Sequence, residues 1–246
     1  MLPAFCEKQF VAGNGQTLRY MFFPGKSSTL VVVFQACSDA GARYNYVKTL
    51  GDCGISRLFI KDDFGPDGCG DYYLGCNGTY SVENAVMELI RSCLGRLSPE
   101  RVVFAGSSKG GYAALNFGLR FPDSEIVIAA PQYFLGSYLK GENGTGRHAK
   151  TLDEILGEPA NALNTKELDN RLRSVIQKDP YAGTQHVCIH YSVNEHTYKE
   201  HVRYLLDDLK ETGISVEEDI GDYQEHGDLK YYFPGYLKEK IEELQK

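Results

Sequence analysis

Directly after the apolar run Val102 to Ala105 stands Gly106-Ser107-Ser108-Lys109-Gly110-Gly111, and Tyr112 with the small residues Ala113-Ala114 follows at once. A strand that passes into a helix through so short a glycine-serine turn confines the chain to a layered α/β fold. The pattern is G-x-S-x-G. A hydroxyl is a poor nucleophile until a base takes its proton, and a sharp turn lifts that oxygen clear of the sheet, where an imidazole can reach it. Glycines two residues either side, Gly106 and Gly110, keep Cβ atoms out of the place where strand and helix nearly touch. That symmetry selects Ser108 and not Ser107. The backbone N–H of Lys109 then opens a helix and is placed to donate to an oxyanion. The reading without chemistry is a plain Gly/Ser turn between a strand and a helix.

Short runs rich in Val, Ile and Phe give the other strands: Leu18 to Phe23, Leu30 to Gln35, Arg57 to Ile60, Glu125 to Ala129, Val187 to Tyr191 and Ser215 to Ile220. Several are apolar at consecutive positions, as a sheet covered on both faces requires, so the sheet is expected to be parallel. Helical spacing lies between them. Val82, Val86, Leu89, Ile90 and Cys93 follow a possible Ser81 cap, and Ala114 to Phe121 is stopped by Pro122. Leu168 to Ile176, Val202 to Leu209 and Leu237 to Leu244 complete the set. Strand and helix alternate, which predicts a doubly wound α/β sandwich, and 246 residues suffice for one such domain. From 131 to 179 no strand signal occurs. Leu152 to Leu156 and Lys166 to Gln177 read as helical there, so the interval is expected to be a cap-like insertion over the carboxyl edge of the sheet.

In this layout the partners of a nucleophilic serine follow in the order acid, then histidine. Of six histidines only His226 comes after the last strand, so it is the expected base. The acid should close the preceding strand, where Glu195 is the first carboxylate; otherwise Glu195 serves as a first-turn helix charge. Asp222 and Asp228 are the runners-up. The second oxyanion donor is expected from the backbone of Ala36 or Cys37, after the strand that ends at Gln35. Cys37 is a rival nucleophile, but no basic residue adjoins it and a buried, inert thiol is the expected state. Asp62 and Asp63 read as loop caps. His186 and His190 share a strand face without a further ligand at a convincing spacing, so no metal site is expected. Gly68-Cys69-Gly70 lacks the third glycine of a dinucleotide fingerprint, and no Walker loop occurs.

The net charge is −7 and the pI about 5.4, so no positive field gathers nucleic acid or anionic lipid. No apolar run approaches the ~20 residues that span a bilayer. The first ten residues carry Glu7 and Lys8 and no secretory pattern. Seven cysteines with no Cys-x-x-Cys pair argue against a disulfide framework or a thiolate zinc cluster. Together these features lead to the expectation of a reduced, cytoplasmic setting. The sequons at Asn77 and Asn143 then read as turn chemistry.

Arg43-Tyr44-Asn45-Tyr46-Val47-Lys48, the Gly-Ser-Ser-Lys-Gly-Gly turn and Ala130-Pro131-Gln132 together resemble the α/β-hydrolase-fold O-acetyltransferases of bacterial capsule biosynthesis, especially the meningococcal serogroup A type. A looser similarity reaches the acetyltransferase-like component of the bacterial accessory secretion system. The resemblance runs roughly from Leu30 to the C-terminus. It implies an α/β-hydrolase fold, acylation of Ser108 by acetyl-CoA, His226 as base and Glu195 as acid, with an aspartate where this chain has Glu195. Acetyl-CoA would be a substrate and no cofactor would be permanently bound; Arg147, His148 and Lys150 would then meet the coenzyme A phosphates, the alternative being that they are charges of a solvated loop. The acceptor would be a hydroxyl of a surface polysaccharide or its precursor. An esterase using the same three residues is the first alternative. A non-catalytic binding protein of a glycan-assembly or secretion complex is the second. A homo-oligomer is compatible with either.

Overall fold

The computed structural model describes residues 6–38, 40–141, 144–178 and 183–245, with Arg147 and Lys178 described by backbone alone. Asn143 and the side chain of Arg147 therefore lie outside the described residues. Among the described residues eight strands make one sheet: β1 (Glu7–Val11), β2 (Thr17–Phe23), β3 (Thr29–Phe34), β4 (Ser56–Ile60), β5 (Arg101–Ser107), β6 (Glu125–Ala129), β7 (His186–Tyr191) and β8 (Ser215–Ile220). Their spatial order is β1-β2-β4-β3-β5-β6-β7-β8. β2 pairs antiparallel with β1 and β4, and every later pairing is parallel. This is the α/β-hydrolase architecture.

All six residues of β3 are buried because the sheet is covered twice. Leu30, Val32 and Phe34 face one core with α1 (Ser81–Leu97), α2 (Lys109–Gly118) and α6 (Arg203–Glu211). Val31 and Val33 face the other with α7 (Leu229–Glu243) and the irregular segment holding Val47, Leu50 and Ile55. Phe34 stacks on Phe117 at 5.2 Å between ring centres, which locks α2 against the strand beside β5.

The interval from 131 to 179 carries α3 (Leu135–Lys140), α4 (Gly146–Leu156) and α5 (Ala162–Lys178). Leu168, Leu172 and Ile176 of α5 are fully buried in the main core, so α5 also serves as the crossover helix between β6 and β7. α1 begins at Ser81 itself, and the residue before it, Tyr80, is left-handed with φ 52°. α7 starts at Leu229 and runs through Pro234.

Register aligns the carboxyl ends of the central strands. Ser107 lies opposite Ala129, Ala129 opposite His190, and Tyr191 opposite Ile220. The segments that leave these ends, carrying Ser108, Gln132, Glu195 and His226, therefore emerge on one edge.

Candidate active site

Ser108 sits at φ 52° and ψ −121°, a conformation that costs a non-glycine residue about 1–3 kcal/mol and persists only where its surroundings impose it. The imposition is steric. A Cβ on Gly106 would lie 2.4 Å from the carbonyl carbon of Gly110, and one on Gly110 would lie 2.6 Å from the Phe34 oxygen. With both absent, α2 starts directly against β5. The Ser108 amide donates to the Ala129 carbonyl at 2.8 Å, which pins the turn to the next strand.

The Ser108 hydroxyl lies 2.9 Å from His226 Nε2, and it accepts the Gln132 side-chain amide at 3.1 Å. On the far side of the ring, His226 Nδ1 lies 2.9 Å from Glu195 Oε1. With the ring N–H on Nδ1 donating to that carboxylate, Nε2 is the acceptor for the serine proton. Gln132 supplies only a donor to the same oxygen, so the hydroxyl hydrogen is left to point at the imidazole.

Glu195 is fully buried, in the loop after β7. Its Oε1 also accepts the Thr197 amide at 3.2 Å and the Thr197 hydroxyl in a short contact, while that hydroxyl lies 3.1 Å from His226 Nδ1. Burial alone would raise the carboxyl pKa, but hydrogen bonds from His226 and Thr197 outweigh it and hold the group below its ordinary range. The acid stays ionised beside the ring. The acid and histidine loops are joined underneath, where the Ser192 hydroxyl donates to the Tyr223 carbonyl at 2.6 Å and accepts the Tyr223 amide at 3.3 Å. Asp222 is exposed and accepts the Asn194 amide at 3.1 Å, and Asp228 closes the turn before α7, donating its amide to the Glu225 carbonyl. It is Glu195 that touches the ring.

The two oxyanion candidates after β3 differ. The Ala36 N–H already donates to the Asn45 side-chain oxygen at 3.0 Å, and an amide hydrogen so engaged does not serve a substrate. Cys37 thus carries that candidacy, together with the Lys109 N–H at the start of α2. The thiol of Cys37 is exposed and not buried as expected, because the chain has left the sheet there; its sulfur lies 4.0 Å from the Tyr72 hydroxyl. From below, the Tyr46 hydroxyl meets Ser107 Oγ at 2.6 Å and braces the turn.

The side chain of Lys109 takes no part in the exposed surface. Its ammonium is buried, donates to Asp62 Oδ2 at 2.7 Å and to the Cys69 carbonyl at 3.4 Å, and lies 5.5 Å from the Tyr73 ring centre. Asp62 also accepts the amides of Asp71 and Tyr73 at 3.1 and 3.3 Å, so it caps a loop and anchors the serine turn at once. Gly70, at φ +102°, is required here: a Cβ would fall 2.0 Å from the Lys109 nitrogen. Burial and the nearby charge of Asp62 push the Asp71 carboxyl well above the carboxylate range. Asp63 instead pairs with Arg19 at 2.8 Å.

Lys150 is exposed on α4, and the half-buried His148 ring lies 5.2 Å from that of Tyr138. His190 pairs with Asp219 and His186 with Glu125. The sheet brings Cys188 and Glu217 beside His186, a grouping that spacing within one strand does not reveal. Glu217 there already holds the Lys240 ammonium at 2.6 Å. Gln132 and Asn45 lie in segments that carry the resemblance and Thr197 lies in none, but the roles of all three arise only from contact.

No protein-family model matches the chain, and no curated protein sequence matches it either. Solved structures do match. The capsule O-acetyltransferase of Neisseria meningitidis serogroup A, in a complex with caged gadolinium, is 22% identical with a TM-score of 0.78, the match covering 95% of this chain and 93% of that one. A mutant of the same enzyme in complex with CoA matches at 20% identity and a TM-score of 0.74 over 96% and 94%. The Glycosylation Associate Protein (Gap123) complex of Streptococcus agalactiae matches at 17% and 0.74, over 97% of this chain and 46% of that chain. An S-formylglutathione hydrolase from Agrobacterium tumefaciens matches at 15% and 0.65, over 98% and 96%. The fold is that of the α/β-hydrolases, with a mostly parallel central sheet and helices on both faces.

Proposed function

We propose that the chain is a serine-dependent O-acetyltransferase, carrying acetyl from acetyl-CoA through an ester on Ser108 to a hydroxyl of a surface polysaccharide or its precursor. The observation that carries the reading is the continuous contact from Ser108 through His226 to buried Glu195, at the edge where ligands meet such sheets. Likeness over nearly the whole chain to a capsule O-acetyltransferase, one form of which binds CoA, supports the choice of donor and acceptor.

In the first half-reaction Ser108 Oγ attacks the thioester carbonyl while His226 Nε2 takes its proton. The tetrahedral oxyanion lies toward the Lys109 amide and the Cys37 amide. Collapse breaks the C–S bond, and His226 returns the proton to the leaving sulfur. In the second half an acceptor hydroxyl attacks the acyl-serine, His226 takes that proton, and collapse gives it back to Ser108. Glu195 holds the ring tautomer and stabilises the imidazolium in both halves. The insertion from 131 to 179 is the part we assign to admitting the acceptor and holding water off.

The test is CoA release from acetyl-CoA with and without a glycan acceptor. Release that needs the acceptor and vanishes in Ser108→Ala is the expected result; equal release with and without acceptor counts against transfer. An esterase with the same triad, favoured by the S-formylglutathione hydrolase likeness, predicts rapid p-nitrophenyl acetate hydrolysis indifferent to CoA and to sugars. A binding role within a complex, for which the Gap123 likeness speaks, predicts no fluorophosphonate adduct on Ser108.

A further inference from the structure

An open groove of about 450 Å³ lies between α3 and the π-helical turn Tyr198–Val202. Two short stretches of chain and one side-chain link tie it to the triad. Phe134 on one wall follows two residues after Gln132, which touches Ser108. His201 on the other follows four residues after Thr197, which touches His226. Tyr138 is bonded through its phenol to Tyr72, whose hydroxyl reaches Cys37 in the oxyanion loop. The turn between Thr197 and His201 is π-helical, an irregularity often found where a helix serves a site.

The lining is aromatic. Phe134 lies 5.2 Å from Tyr204 and 6.1 Å from His201, and Tyr138 lies 5.9 Å from His201, all between ring centres. His201 is a neutral ring and not a cation. It is buried and accepts the Phe134 amide on Nδ1 at 3.2 Å, and burial together with the nearby His196 and His226 pushes its pKa down to about 4. Around the rings stand Ser137, Lys199 and Glu200. The lining carries one cation and one carboxylate, Lys199 and Glu200, and so has no excess of positive charge, while Ser137 beside them donates its amide to Asp169 at 2.7 Å. A coenzyme rich in phosphate requires cations without opposing carboxylates. A neutral pyranose requires what the groove has: flat aromatic faces for its C–H surface, and donors and acceptors of both kinds for its hydroxyls.

We infer that this groove is the acceptor subsite, holding a neutral pyranose unit of a glycan against Phe134, Tyr138 and Tyr204 while its hydroxyls meet Ser137, Lys199 and Glu200. The inference rests on the acyltransferase reading. Its test begins by acetylating the protein with p-nitrophenyl acetate in the presence of methyl α-mannoside, methyl β-glucoside, methyl β-galactoside or N-acetylglucosamine. The ratio of acetyl-sugar to free acetate is then read by mass spectrometry. The wild type is expected to acetylate at least one of these sugars. Tyr204→Ala should lower the ratio about tenfold, the worth of one aromatic contact, through a higher acceptor KM, and Tyr204→Phe should preserve it. An unchanged ratio in Tyr204→Ala, or no acetyl-sugar from a wild type whose Ser108 is demonstrably acylated, overturns the subsite. Absence of any acyl-Ser108 removes the underlying acyltransferase reading, and the subsite falls with it.

Discussion

Each triad member is held by a neighbour that a one-dimensional reading passes over. Glu195 occupies a position for which the resemblance implies aspartate, and the Thr197 hydroxyl fastens both its Oε1 and the His226 ring. Glu195→Gln keeps the shape but loses the charge that fixes the ring tautomer, so kcat should fall by about 10²–10⁴, measured with p-nitrophenyl acetate. Thr197→Val should cost about tenfold in kcat, with Thr197→Ser restoring most of it, because only the hydroxyl is at issue. An equal loss in the valine and serine variants would mean that packing and not the hydroxyl matters. Ser108 was legible because the turn it needs demands glycines at fixed offsets. His226 and Glu195 were legible as candidates from their order along the strands. Gln132 and Thr197 were not, since a hydrogen-bonding side chain has no periodicity and its partner lies 24 or more residues away. Ala36 and Cys37 stand as equal oxyanion candidates in the sequence because nothing in the chain announces that Asn45 folds back onto the Ala36 amide.

At the scale of elements, the segment after β4 is bolted beneath the serine turn by the Lys109–Asp62 pair. Lys109→Met would leave Asp62 as a buried carboxylate without its cation, at a cost of about 3–5 kcal/mol, read as a lower urea midpoint. The double variant Lys109→Met/Asp62→Asn should recover part of that stability, since it removes the stranded charge. The central strands were legible because doubly covered β-structure needs unbroken apolar runs. β1 was not, because its exposed edge sequence, Glu-Lys-Gln-Phe-Val, carries no such run. The early part of α7 was hidden by Pro234, which normally ends a helix but here lies within one whose first turns are held by Leu229 and Phe233 in the core. The reading of the region before Leu209 as one helix missed the π turn because an extra residue per turn hardly disturbs the apolar spacing.

For the molecule as a whole, stability should fall on the acid side, and the sign follows from three buried groups. His201 binds its proton near the ordinary 6.5 when unfolded but only near 4 when folded. Between those values the unfolded chain holds more protons, so stability declines as pH falls through that window, by on the order of 2–3 kcal/mol. Glu195 and Glu83 add to the loss at lower pH. For Glu83 burial is outweighed by Arg171 and Arg120, which hold its carboxyl below the ordinary range, so its contribution is present above the unfolded value and disappears as the folded group protonates. Urea midpoints measured between pH 7 and 4 should drop in the wild type and drop less in His201→Gln; a parallel decline in both would assign the acid sensitivity elsewhere. The central claim, that one serine receives the acyl group by way of one imidazole, is tested most directly by mixing the protein with acetyl-CoA, quenching in acid and mapping the peptides by mass. The account predicts a single acetyl ester on Ser108, absent from Ser108→Ala and strongly reduced in His226→Ala. An acetyl group on any other residue, or one that persists when Ser108 is replaced, would contradict it.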